Sequence, residues 1–488
     1  MTLALVTCDT ASAPDGPSDE SVLSAVSVSP SMVSGGGAST GEVTLSGPSP
    51  TGGTIVNLTS SNAAAAGVPA SVTVPAGERT ATFVVTTSIV ATNTPVTITA
   101  ACNRVTCTAT LTVTVPGGAL SPIFRVSQIA DNALTAENHH LGVDALIRLM
   151  GENGLKFFRS SISGVDRGPQ GLIAPNDVVL LKVNLQWKYR GCTNSDLVRG
   201  LIKRILEHPE GFIGEVVIID NGQGRGSLNC DTSVGYDGDT AVRANAQNES
   251  HSFQWLINDL FNDARVSGFL LDSIRGEFLA ETDHLTNGYR TYENVSYPCF
   301  RTAGGRRVEL REGIWNGSTH DSNLKLINIP VLKHHDLGGS EFTGALKHVY
   351  GIVTMSDGQQ PFRHYAGLGE TCGKMMVSVH TPILNIMDAI WVSHGALWGY
   401  PASMTFRANQ IVASQDPVAL DYWAAKHILY PIDNNARHDP DFSGIDAWLT
   451  VARDLINGRG GFNQVDRGIE VRTVTKDESE MVVSETVA

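Results

Sequence analysis

Val178-Val179-Leu180-Leu181-Lys182-Val183-Asn184 and Val216-Val217-Ile218-Ile219-Asp220-Asn221-Gly222 are the two stretches that decide the fold. Each opens with an apolar run that does not alternate with polar residues. That is the pattern of a strand buried on both faces, as in a parallel sheet covered by helices. Between them, Asp196–Glu207 sets Leu197, Leu201, Ile202, Ile205 and Leu206 at helical spacing. Asn138–Met150 has the same spacing, and Leu324–Ile329 and Gln410–Ala413 add further strand runs. Strand–helix–strand alternation predicts an α/β domain with a mainly parallel sheet, here over residues 123–472.

Ligands of such sheets bind beyond the carboxyl ends of the strands. The residues after each run are therefore the candidates: Lys182 and Asn184, then Asp220–Gly226, then Lys333-His334-His335-Asp336. They are followed by Gly344-Ala345-Leu346-Lys347-His348-Val349-Tyr350-Gly351, Asn385-Ile386-Met387-Asp388-Ala389 and Ser414-Gln415-Asp416-Pro417-Val418-Ala419-Leu420-Asp421.

Upstream the text changes. Residues 24–116 are nearly all Val, Thr, Ser, Ala, Gly and Pro. They form seven period-2 runs: Val26–Ser29, Glu42–Leu45, Ile55–Leu58, Ala70–Val74, Ala81–Val85, Val96–Ala100 and Ala109–Val115. Short alternating strands divided by Gly, Pro and Asn turns predict an all-β sandwich. The chain is thus multidomain. Residues 117–122 are a linker, 1–23 a signal remnant or flexible start, and 473–488 an acidic tail that ends freely or adds an edge strand.

A net charge of −14 over 488 residues argues against a nucleic-acid partner, which needs a Lys/Arg-rich face. No apolar run is long enough to span a bilayer. The seven cysteines contain no Cys-x-x-Cys pair, which disfavours zinc ribbons and cysteine-ligated clusters. Six of them could pair within the body of the protein. Cys102 and Cys107 flank the turn Asn103-Arg104 and are expected to form a hairpin disulfide. Cys8, left over, follows Leu5-Val6-Thr7 as a lipidated cysteine follows a lipoprotein signal; the other reading is an incidental cysteine in a flexible start.

Two resemblances follow from these segments. Val43–Pro48, Val68–Gly77, Thr82–Thr87 and Thr108–Val113 resemble bacterial immunoglobulin-like domains of exported proteins, which act as spacers or adhesive modules. That resemblance implies an extracellular or cell-surface location. The larger domain resembles the bacterial and archaeal family called domain of unknown function 362. Its Lys-x-Asn, Lys-x-His, Gly-x-x-Lys-(Asn)-x-x-Gly, Asn-Ile-x-Asp-Ala and Ser-x-Asp-Pro-x-Ala-x-Asp segments all occur in order. His348 stands where that family usually has Asn.

Any single strand-end lysine is ordinarily a solvated charge. Lys182, Lys333 and Lys347 in matching contexts instead point to a shared anion site, with Asn184 and His348 beside them. His335, in the position of the family motif, is the candidate for proton transfer, and Asp388 and Asp421 are the candidates to orient it. Asp416 with Pro417 reads as a helix start. Asp220–Gly226 reads as a tight turn, or as a nest of amides for an anion. Asp336, with His335 and His348, could hold a transition metal; Asp439 and Asp441 sit in an acidic group that could bind calcium or stand solvated. Two functions are expected. One is an exported protein that binds a small anionic ligand or metal, with an undetermined reaction. The other is a structural or adhesive surface protein that assembles with copies of itself.

Overall fold

The computed structural model describes residues 7–10, 21–88, 94–114, 121–130, 132–236, 238–335, 341–354, 367–458, 469–475 and 483–487. The chain divides into two units, residues 1–120 and 121–488. Asp336 lies outside the described residues.

The first unit holds two mostly antiparallel sheets. One contains Thr54–Ser60, Ser71–Val74, Thr94–Cys102 and Val105–Thr114, edged by Thr7–Thr10. The other contains Leu23–Ser29, Ala38–Leu45 and Thr80–Thr87. All seven alternating runs fall on strands, with Ala70 just before its strand and Val115 outside the described residues. The alternation has its expected cause: Val26, Val43, Val56, Val85, Val96, Ile98 and Leu111 meet in one buried core while the threonines and serines between them turn outward.

The expected Cys102–Cys107 disulfide is not formed. Asn103 and Arg104 both have positive φ, so the hairpin closes in two residues and Cys102 pairs with Val105. Cys107 then lies opposite Ala100, a diagonal neighbour of Cys102. Diagonal positions are about 7–8 Å apart, beyond the ~3.5–4.5 Å that a disulfide requires between Cβ atoms. Cys107 is in a disulfide, and the cysteine directly opposite it in the register is Cys8, whose side chain lies outside the described residues. Cys102, Cys192, Cys230, Cys299 and Cys372 keep their thiols, so the body cysteines do not pair among themselves. Alkylating the unfolded but unreduced chain should label Cys102 and spare Cys107, read by peptide mass spectrometry. Label on Cys107 would overturn the assignment.

Among the described residues, the second unit is built on an eleven-stranded mixed sheet. Its elements in chain order are β1 (Ser121–Ser127), α1 (Leu141–Glu152), β2 (Val178–Lys182), α2 (Ser195–Leu206), β3 (Glu215–Asp220), β4 (Val266–Leu270), β5 (Leu324–Asn328), β6 (Val331–His334), β7 (Phe342–Thr343), α3 (Ala345–His348), β8 (Leu384–Ser393), β9 (Thr405–Ser414), α4 (Pro417–Ala424), α5 (Ser443–Gly458), β10 (Ile469–Thr475) and β11 (Val483–Val487). The order is β4-β3-β2-β5-β8-β9-β1-β10-β11, and β6 joins β7 to β8. β4, β3, β2, β5 and β8 run parallel; β9 is antiparallel to both its neighbours. The residues expected in an acidic tail contribute to β10 and form β11.

The unalternating runs are explained by two cores. Val178, Leu180, Val217, Ile219 and Leu326 enter the core on one face of the sheet. Val179, Leu181, Val216, Ile218 and Ile327 enter the core on the other. Asp416 caps α4 by accepting from the amides of Val418 and Ala419, with Pro417 at the first helical position. Among the described residues no helix is long and apolar enough to cross a membrane.

A second sheet was not anticipated. Gly288–Tyr292, Val295–Arg301, Arg307–Glu309, Gly313–Trp315 and His320–Asp321 form five antiparallel strands. Its first hairpin turns on Glu293-Asn294, both at positive φ, which is the two-residue turn that matches strand twist.

Candidate functional site

The carboxyl ends of the central strands bring one polar group together. The register sets Lys182 of β2 beside Asn328 of β5, and Asn328 beside Asn385 of β8. Asp220 is the last residue of β3. Lys182 is wholly buried. Its Nζ lies 2.8 Å from Asp220 Oδ1, donates to the Val183 carbonyl at 2.8 Å and sits 3.0 Å from His348 Nε2.

The chain of partners fixes the state of His348. An ammonium can only donate, so Nε2 accepts, and Nδ1–H donates to Asn328 Oδ1 at 2.7 Å. Asn328 Nδ2 donates in turn to the Ala345 carbonyl and to Asn385 Oδ1, at 2.8 and 2.9 Å. Asn385 Nδ2 passes the relay to the Ser414 carbonyl. Burial, then the charges of Lys182 and Lys333, hold His348 well below its usual range, so the imidazole is neutral.

Lys333, on β6, is 1% exposed. Its Nζ donates to the Gly191 carbonyl at 2.6 Å and to Asn184 Oδ1 at 3.2 Å, both neutral acceptors. Among the described residues no carboxylate lies within 4 Å of it. Burial brings it down to about 7, and the charges of Lys347 and Lys182 push the same way against Cys192 and Asp220. Lys347, on α3, is also buried and lies 3.7 Å from Glu341 Oε2; burial lowers it as well. His335 Nδ1 is 3.4 Å from the same oxygen. Its neighbour His334 turns away to His438, at 2.8 Å, as residues on opposite strand faces must.

Two glycines let this group close. A Cβ at Gly351 would collide with the Lys182–Asp220 pair, and one at Gly344 with the carboxylate of Asp421. Asp421 accepts from the amides of Ala345 and Leu346 at 2.5 and 2.9 Å and so starts α3, which carries Lys347 and His348. Asp388 accepts from the amides of Asn194 and Ile390 at 2.7 and 3.1 Å. Burial raises both carboxyls to about 7. The two residues expected to orient a base instead orient backbone: one the start of α3, the other the residue that caps α2.

The Gly-rich loop after β3 is a tight turn. The amides of Gly222 and Gly224 both donate to the Asp272 carboxylate, which fills the nest that an outside anion would need. Asp439 and Asp441 are likewise engaged, by Lys426 Nζ at 2.9 and 2.6 Å.

The five-stranded sheet holds a cluster absent from the sequence reading. His284, Glu309 and His320 place ligand atoms within 4.8 Å of one another. Their separations along the chain contain no short metal-ligand spacing, so no sequence signal marked them. The residue types suit a metal, but Arg290 Nη1 already donates to Glu309 Oε2 at 2.6 Å. His284 Nδ1 and His320 Nε2 each lie 2.9 Å from this carboxylate, at hydrogen-bonding distance. The Trp315 indole stacks on His284 with ring centroids 3.8 Å apart. Arg290 thus supplies the positive charge that a cation would bring.

No curated protein matches the chain. Residues 318–426 match the model of the family described as domain of unknown function (DUF362), a span that carries Lys333, His335, Lys347, His348, Asp388 and Asp421.

Proposed function

We propose that the second unit binds a small anion, of the class of sulfate, phosphate or a carboxylate, at Lys333, in the field of Lys347 and Lys182. The observation that carries this reading is Lys333, a buried amine that has, among the described residues, two neutral acceptors for its three donor positions. An unpaired buried charge is costly, and an anion would offset that cost. An amine that titrates near neutrality can also take a proton from what it binds. The protein is read as exported, its first unit an immunoglobulin-like sandwich that spaces the second from a surface. The disulfide at Cys107 supports export, since such bonds persist in oxidising compartments.

Sulfate, which does not titrate near neutrality, is the probe. Lys333 is charged below its folded pKa of about 7 and neutral above it. Sulfate affinity should therefore be greatest below that pH and fall by up to roughly tenfold per pH unit above it. Lys333→Met should remove both the binding and the pH dependence. Calorimetry showing no sulfate binding, or binding indifferent to pH and to this substitution, refutes the reading.

A further inference from the structure

A cavity of about 240 Å³ lies elsewhere in the second unit, and none of the three lysines lines it. One wall is the indole of Trp391, with the guanidinium of Arg190 4.2 Å and that of Arg407 5.5 Å from a ring centroid. Arg190 is 9% exposed and spends Nη1 on Asn245 Oδ1 at 2.6 Å; its Nε is buried with no hydrogen-bond partner among the described residues. Asp196, in the first turn of α2, also lines the cavity and is 6% exposed. Its Oδ2 accepts from the Gln247 amide at 2.7 Å, while Oδ1 is buried without a partner among the described residues.

Among the described residues, no carboxylate lies within 4 Å of Arg190 and no cationic nitrogen within 4 Å of Asp196. A buried cation and a buried anion thus share one cavity without pairing with each other. Each unsatisfied buried group has given up its hydration without a replacement hydrogen bond, which is costly. A ligand with both charges satisfies them together. The rest of the lining includes Ile129, Ala133, Leu134 and Ile390, an apolar surface for the body of such a molecule. The volume is below the ~300–1,000 Å³ of drug-sized sites, which limits the ligand to a small metabolite.

We propose that this cavity binds an α-amino acid with an apolar side chain. The carboxylate meets the edge of the Arg190 guanidinium that carries Nε and Nη2, which can bind it with two parallel hydrogen bonds while the guanidinium's face stays on Trp391. The ammonium meets Oδ1 of Asp196. The side chain lies on the isoleucine, leucine and alanine surface. This site is independent of the anion site and does not require it.

The test is calorimetric titration of the full chain with L-leucine and two analogues that each lack one charge, 4-methylpentanoate and L-leucinamide. Leucine should bind, and each analogue should bind at least tenfold more weakly. Asp196→Asn should abolish the preference for leucine over 4-methylpentanoate while sulfate binding stays unchanged. If that variant does not fold, as judged by circular dichroism, the analogue series on the unaltered chain still decides. Absence of leucine binding up to about 10 mM, weaker than the millimolar affinities of feeble complexes, overturns the proposal. So does equal binding of all three compounds.

Discussion

Asp220→Asn should lower the unfolding free energy of the second unit by about 3–5 kcal/mol, the usual loss when one partner of a buried ion pair is removed. Lys182 and Asp220 are 0% and 2% exposed and 2.8 Å apart. Asparagine keeps nearly the same shape but leaves the Lys182 ammonium with a carbonyl and a neutral imidazole. Burial already depresses Lys182, and the charge of Asp220 is the main force opposing that shift. Without it the folded pKa falls further below the unfolded value. The unfolded chain then binds more protons over the interval between the two values, so the variant should regain stability as pH rises through it. Removing both charges, in Lys182→Met with Asp220→Asn, should recover most of the loss. All seven tryptophans fall in residues 121–488, so urea unfolding followed by tryptophan fluorescence reports this unit alone. A loss below about 1 kcal/mol, the size expected for an exposed pair, would show that the two charges are not shielded from water.

Glu309→Gln should cost a similar amount, about 3–5 kcal/mol, because it strands the buried Arg290 in the five-stranded sheet. The pH dependence distinguishes this carboxylate from others. Burial pushes Glu309 up, but hydrogen bonds from His284 and His320 and the charge of Arg290 outweigh it and hold the group below its usual range. A depressed folded pKa contributes stability above the unfolded value, near pH 4.3 for glutamate. That contribution disappears as pH falls through the folded pKa. The unaltered protein should therefore lose stability on its acid limb, and Glu309→Gln should flatten that limb. An acid limb unchanged by the substitution would contradict the caged-carboxylate account.

What the sequence disclosed depended on whether a residue's neighbours obey a simple period. The strands ending in Lys182 and Asp220 were legible because four consecutive apolar residues have few other uses. The helix start at Asp416-Pro417 was legible because its cap is local. The five-stranded sheet was not, since its strands bury Arg290, Arg307 and Glu309. A reading based on alternation assigns such residues to solvent. Lys182 and Lys333 were marked by their apolar strands and Lys347, which the fold puts on α3, by the glycines around it, but the link from Lys182 to His348 joins residues 166 positions apart and has no local mark. Asp388 and Asp421 were singled out as chemistry, whereas their oxygens accept from backbone amides that only the folded chain brings near. The cysteine error was one of register. The turn was read, but not which residues it sets opposite each other.

The place of β1 has a consequence for how the protein is made. This first strand of the second unit pairs with β9 and β10, Phe124 lying opposite Ala413, roughly three hundred residues later in the chain. At about 5–20 residues per second, a ribosome delivers that partner on the order of 15–60 s after the strand itself. Meanwhile Ile123, Phe124 and Val126, all buried in the finished protein, have no sheet to join. Vectorial synthesis thus leaves the nascent chain with an open apolar edge for most of the time the unit is being translated. A holding chaperone, or transport of the chain before it folds, would suit such a topology.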